Sequence, residues 1–376
     1  MNVPVANRVR TVVPLGAFAP RLRALATAVP EHLFPQDKVR ETAKAYYGPR
    51  TGIFEHLEPV FANAQIETRY ACQPFEWYLE PHDFAEKSAL YTEHALALAL
   101  KVANKTLADA RLAPEEIDAI VCVSSTGIMT PSLDARLMNL LPFRRDTVRL
   151  PIFGYGCAGG VLGLSRAADL ARARPGTRVL LIVVELCSMA IRHDRWAPSN
   201  IVATALFGDG AAGAIIESGD LAGEGEEGVP SLGTIGAGGE HCWQDTLDIM
   251  GWRVDGNGLD VIFHYSIPTV LAEDYPAALF AFLDRNGMTL DDVARPCCHP
   301  GGVKVIDALE DVLGYPRDGL DAEREILREY GNMSAPTVLF VLQRLVRSGT
   351  SGQLLMSSLG PGFCAAFQMV TLTPQR

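Results

Sequence analysis

Cys157 stands in FGYGCAGGVLGLSRAADLA (residues 153–171), where strand-like VRLPIFGY runs into a glycine-lined turn. Apolar residues at helical spacing follow (Val161, Leu162, Leu164, Ala167, Leu170). A thiol at the start of a helix meets unpaired backbone N–H groups and the positive end of the helix dipole, which favour thiolate over thiol. That makes Cys157 a candidate nucleophile, although most free cysteines are buried packing residues. Two further residues bear on the choice. His299, in CCHPGG (297–302), is predicted to end a strand and precede a turn. An imidazole placed there presents a nitrogen to a pocket and exchanges a proton near neutrality. Asn332, in EYGNMSAPTVLFVLQRL (329–345), precedes a second helical pattern, by default the position of an N-cap. Taken singly, His299 and Asn332 read more simply as structure than as chemistry. Together with Cys157 they form an acyl-transfer set, one thiolate nucleophile and two donors.

The motifs GYGCAGG, LFGDGAAG (206–213), HPGG, YGNMS and LGPGF (359–363) follow one another in that order. With the wide separations between Cys157, His299 and Asn332, they make the chain resemble the type III polyketide synthases, the chalcone-synthase-like family. The resemblance runs from Arg21 to Val370. It implies that Cys157 is the nucleophile and that His299 and Asn332 are its catalytic companions. It places Phe207 (in ALFGDG) and Phe263 (in DVIFHYS) at the two gatekeeper phenylalanines, and Gly360, Pro361 and Gly362 in the loop flooring the active site. Either phenylalanine alone would be read as core packing. His264, beside Phe263, is read as structural. Cys187 and Ala190 in VELCSMAIRHD (184–194), with Ser125 opposite in VSSTG, fall on the family's cavity wall. Small residues there imply a tunnel for a long acyl chain. ELCS and DIMGWRVDGNGLDVIFH further resemble bacterial members that make alkylpyrones or alkylresorcinols from fatty acyl thioesters.

The activity so implied is iterative decarboxylative Claisen condensation of malonyl-CoA onto a starter acyl thioester held on Cys157, followed by cyclisation. His299 is expected to hold the Cys157 thiolate as an ion pair, and His299 and Asn332 to stabilise the enolate oxygen formed as carbon dioxide leaves. Beyond the substrates acyl-CoA and malonyl-CoA, no metal or redox cofactor is expected, because decarboxylation itself generates the carbanion. Two departures stand out. Ser358–Leu359 precede the floor loop where plant members have glycine–phenylalanine. FANAQIETRY (61–70) lacks the basic residues those relatives place on the CoA phosphates, so either other arginines serve or the donor is an acyl carrier protein.

A chain of 376 residues exceeds a usual single core. Two halves are expected, 21–230 with Cys157 and 231–376 with His299 and Asn332, after a flexible leader (1–20). The glycine-rich, acidic stretch 218–240 reads as the loop between them. Strand and helix patterns alternate, the mark of an α/β protein with buried sheets. The resemblance makes this the thiolase fold: a duplicated, five-layer αβαβα architecture with mixed sheets, usually a homodimer meeting near Met129 and Thr130.

A net charge of −11 argues against a nucleic-acid surface. The longest apolar run, VLLIVVEL (179–186), is short for a membrane span, and Arg8 and Arg10 interrupt any signal-peptide core. Eight cysteines without a paired pattern suit free thiols in a reducing cytoplasm. Adjacent Cys297 and Cys298 have poor geometry for a shared ion, so no metal site is assigned. Three rival readings compete with the synthase. An initiating-type ketoacyl-carrier-protein synthase would perform one condensation without cyclisation, and the GPG loop and Phe207 oppose it. A papain-like hydrolase would carry its cysteine near the mature N-terminus. A non-enzymatic scaffold would lack one of the three reactive residues.

Overall fold

β1 (Arg21–Ala28) opens the described chain, which the computed structural model covers over residues 19–218 and 231–374. Residues 1–18 of the expected leader and 219–230 of the expected boundary loop lie outside the described residues. After β1 come β2 (His32–Pro35), α1 (Gln36–Tyr47), α2 (Phe54–Leu57), α3 (Pro59–Asn63) and β3 (Thr68–Ala71). The first half continues with α4 (Phe84–Ala110), β4 (Ala119–Val123), α5 (Leu133–Leu137), β5 (Val148–Ile152) and α6 (Gly159–Ala173). It closes with β6 (Arg178–Leu186), α7 (Pro198–Leu206) and β7 (Asp209–Glu217). The second half holds β8 (Gly233–Cys242), the hairpin β9 (Met250–Asp255) and β10 (Gly258–Phe263), α8 (Ile267–Glu273) and α9 (Tyr275–Arg285). β11 (Arg295–Cys298), α10 (Val303–Leu313), α11 (Asp321–Tyr330), α12 (Thr337–Arg347), β12 (Gly352–Gly360) and β13 (Cys364–Leu372) complete it.

Nine strands form one mixed sheet in the order β11-β12-β13-β8-β1-β7-β6-β4-β5. Its middle seam is slight: β1 meets β8 through Arg21↔Thr234 and Leu22↔Gly233 alone. On either side the same plan recurs. A parallel pair (β4–β6, β11–β12) is followed by an antiparallel neighbour (β7, β13) and then by another (β1, β8). β5 extends the first half alone.

Two helices sit between the half-sheets. α6 packs on β4, β6 and β7 of one half and on β8, β12 and β13 of the other, while α12 packs on β1, β7, β11 and β12. Covered on both sides, they have buried residues nearly all round, from Val161, Leu162 and Leu164 to Val338, Leu339, Val341 and Leu342. Each such branched side chain stabilises the fold by about 1.5–3 kcal/mol. α4 covers the outer face of the first half; α8, α9 and α10 cover that of the second. The layers therefore run αβαβα. α4 also shows the local logic: Asp83 caps its start by accepting from Glu86 N at 2.8 Å, and Arg111 ends it in a left-handed conformation.

Several local expectations change. The glycine-rich run from residue 233 is not loop but strand β8. The apolar segment from Ile267 to Arg285 forms two helices, α8 and α9, broken at Asp274. In ALFGDG, Ala205 and Leu206 finish α7 before the strand begins at Asp209. Cys297 faces the central core and Cys298 the outer one, as neighbours in a strand must. Among the described residues no helix is long and apolar enough to cross a membrane.

Candidate active site

Cys157 lies in a tight 3-10 turn, Gly156–Ala158, that feeds directly into α6. Its turn is clamped from two sides. Beyond the end of β4, Ser125 Oγ accepts from Gly154 N at 3.1 Å and Gly156 N at 3.3 Å. Ser125 N donates in turn to the buried Glu185 carboxylate, which also accepts from Thr126 Oγ1 at 2.7 Å. From β12, Ser358 Oγ donates to the Cys157 carbonyl at 2.7 Å. The floor loop presses on the same turn. A Cβ at Gly360 would stand 2.6 Å from Ala158 Cβ and from the Tyr155 carbonyl, so only glycine fits there.

His299 follows β11 directly, and its N–H donates to the Ser357 carbonyl at 2.9 Å. Its ring is 5% exposed and neither nitrogen has a hydrogen-bond partner. Asn332 is fixed by backbone bonds to the end of α7: Asn332 N to Leu206 O at 2.8 Å, and Gly208 N to Asn332 O at 3.0 Å. It is not an N-cap, since α12 starts at Thr337 after Pro336. Its Nδ2 donates to Gly301 O at 3.1 Å, using one of two hydrogens, and its Oδ1 accepts from Ser334 N at 2.8 Å. The polar side chains of Asn332 and Ser334 lie beside the Cys157 thiol and favour its thiolate form. One cavity is lined by Cys157, His299, Asn332, Phe263 and Ser358.

Burial dominates the electrostatics. It pushes the Cys157 thiol up to about 11, against the opposing pull of Ser334 and Asn332, and the Glu185 charge pushes the same way. Burial pulls the His299 imidazole down to about 3. The expected thiolate–imidazolium pair is therefore not the resting state. Between those values a neutral thiol faces a neutral imidazole, because desolvation outweighs the helix dipole.

The remaining expected site residues fall in different places. Phe263 lines the Cys157 cavity, whereas Phe207 lines a neighbouring one with Tyr46, Tyr47, Phe75 and Tyr78. The two phenylalanine rings meet edge to face with centroids 6.5 Å apart. Arg69 is buried and donates to the carbonyls of Thr204, Ala205 and Phe207, which fixes the backbone of the Phe207 turn. Gly360, Pro361 and Gly362 floor the nucleophile turn, with Pro361 packed on Gly156. Ser125, Cys187 and Ala190 are buried and are not among the lining residues of the Cys157 cavity. Sequence reasoning missed Ser334 and the bond made by Ser358. The serine at 358 was visible only as a departure from the plant pattern.

A five-layer duplicated fold with a cysteine at the central helix and a histidine and an asparagine facing it defines a thiolase-type condensing enzyme. Residues 15–220 match the N-terminal domain of the chalcone and stilbene synthases, and 243–367 match the C-terminal domain. The 1,3,6,8-tetrahydroxynaphthalene synthase of Streptomyces peucetius subsp. caesius is 36% identical, covering 98% of this chain and 100% of that protein. An α-pyrone synthesis polyketide synthase-like protein, Pks18 of Mycobacterium tuberculosis, is 26% identical over 91% of this chain and 88% of its own. The crystal structure of the tetrahydroxynaphthalene synthase of Streptomyces coelicolor A3(2) superposes with a TM-score of 0.86 at 27% identity, over 94% of this chain and 100% of that one. The chain belongs to the chalcone and stilbene synthase family, the type III polyketide synthases, which are condensing acyltransferases.

Proposed function

We propose that Cys157, His299 and Asn332 carry iterative decarboxylative condensation of malonyl-CoA onto an acyl chain held on Cys157, ending in cyclisation. The observation behind this reading is the single cavity in which a thiol, an imidazole with two free nitrogens and an amide with a spare donor converge. Loading begins with the neutral pair. As Cys157 Sγ attacks the starter thioester, its proton passes to His299, and CoA thiolate leaves and takes that proton. Malonyl-CoA then binds with its thioester oxygen against His299 and Asn332 Nδ2. Loss of carbon dioxide leaves an enolate whose oxygen accepts from both donors, and its carbon attacks the acyl–Cys157 carbonyl. The Cys157 thiolate released is the nucleophile for the next transfer. Phe207 and Phe263 offer an apolar wall disfavouring the malonyl carboxylate and favouring its neutral products. No step draws on a metal or redox group.

A long-chain fatty acyl starter, leading to an alkylpyrone or alkylresorcinol, draws support from the α-pyrone relative. The more similar tetrahydroxynaphthalene synthase favours a fused aromatic product instead. In this reading the enzyme works in the cytoplasm as a homodimer, with acyl-CoA or an acyl carrier protein as donor. Purified protein given malonyl-CoA, alone and with acyl-CoAs from acetyl to stearoyl, tests all of it by mass spectrometry. Cyclised polyketides formed without added metal support the reading, and the starters consumed identify the acyl class. A linear, singly extended ketoacyl product would overturn the iterative cycle.

A further inference from the structure

The Cys157 cavity does not end at the reacting groups. It continues past His299 as a crevice between α8 and α10, walled by Ile267, Leu271, Val305 and Leu309, and Tyr275 at the start of α9 also lines it. Tyr275 is 1% exposed, and its phenolic oxygen has no hydrogen-bond partner. The Ser357 hydroxyl is its polar neighbour, yet it donates to Cys298 Sγ at 3.4 Å and completes no hydrogen bond with the phenol. Apolar walls of this kind take methylene groups. A buried hydroxyl left unpaired in them is costly, and an acceptor that arrives with the ligand removes the cost.

We propose that this crevice is the subsite for the distal part of the acyl chain on Cys157, and that it selects an oxygenated chain, a β-ketoacyl group, through donation from Tyr275 Oη to a keto oxygen. The proposal rests on Cys157 as the site of acyl attachment. It adds what the chain must carry and which residue reads it. A saturated chain of equal length fills the apolar walls but leaves the phenol unpaired. A site built to hydrogen-bond its ligand discriminates against the analogue that lacks the partner. Tyr275 acts here as a specificity residue and takes no part in bond making.

The test compares acetoacetyl-CoA with butanoyl-CoA as starters, both four-carbon chains, in the presence of malonyl-CoA. Trapping of the acyl-enzyme on Cys157, read by peptide mass spectrometry, checks the underlying reading separately. If no acyl group appears on Cys157, that reading fails and the subsite falls with it. If acylation occurs, wild-type protein should favour the oxo starter in kcat/KM by roughly tenfold, the scale of one buried hydrogen bond. Tyr275→Phe keeps the ring and removes the donor, and should bring the ratio close to one. Val305→Phe, on the half-buried wall, should block the crevice, weaken use of the oxo starter and lower the ratio as Tyr275→Phe does. An oxo-to-saturated ratio that is the same in wild type and Tyr275→Phe overturns the proposal. So does equal use of the two starters by the wild type, which would point to a phenol bonded to water.

Discussion

The two halves share a strand–helix plan but use its corresponding points differently. Ahead of α6 stands Cys157; ahead of its counterpart α12 runs the loop carrying Asn332. Past the end of β4 come Ser125 and Thr126, both tied to Glu185; past the end of β11 comes His299, tied by its backbone alone. In the first half the polar groups around the turn satisfy one another and hold the nucleophile still. In the second, the imidazole nitrogens and one amide hydrogen stay open to a ligand. Duplication thus supplied two equivalent frames, of which one became a mount and the other a set of donors.

If that division holds, removing the nucleophile and removing a donor should fail in different ways. Cys157→Ala should abolish acyl-enzyme and all condensed product while leaving decarboxylation of malonyl-CoA measurable as carbon dioxide release. His299→Ala should lower that release by about 10²–10³-fold, the usual effect of removing an oxyanion donor. Products from the alanine variant at 157 would end the assignment of the mount. Next in size is the packing that joins the halves. Gly360→Ala drives a methyl into Ala158 and Tyr155, and should destabilise the protein by about 1–3 kcal/mol in chemical denaturation. An unchanged midpoint would mean that the floor loop moves freely from the turn.

A milder probe is Ser358→Ala, which deletes the donor to the Cys157 carbonyl and should cost about 1 kcal/mol of stability, with turnover reduced several-fold. Turnover equal to wild type would remove Ser358 from the mount. The smallest effect is electrostatic. The Glu185 charge raises the Cys157 thiol, so Glu185→Gln should shift the pH midpoint of Cys157 alkylation by iodoacetamide downward. Burial raises the Glu185 carboxyl itself from an ordinary 4.5 to about 7. An unfolded chain ionises it earlier, so its burial subtracts stability progressively as pH rises from 4.5 to about 7. Glu185→Gln should flatten that part of the stability–pH curve, and an identical curve would show that Glu185 does not titrate there.

Much of this was legible because chemistry clusters in short motifs. GYGCAGG, HPGG and YGNMS each put a reactive residue beside a turn, and the fold brings all three into one cavity. What was hidden depended on contacts between distant segments. β8 looked like loop because of its glycines, yet a Cβ at Gly239 would stand 2.6 Å from the Phe282 ring, so the strand needs glycine to lie under α9. Ser125 was expected on a tunnel wall, but its hydroxyl is turned to the backbone of the nucleophile turn, a geometry no local pattern announces. The lowered imidazole and raised thiol were also out of reach, since both follow from burial rather than from neighbours in sequence.

The resting neutral pair also bears on how long the enzyme survives in an oxidising medium. Peroxides and electrophiles attack thiolate, and a thiol held near 11 offers very little of it at neutral pH. The nucleophile is thereby shielded while the site is idle and becomes vulnerable during the catalytic cycle, when Cys157 is released as thiolate. Damage by peroxide should accordingly follow the number of turnovers more than the hours of storage.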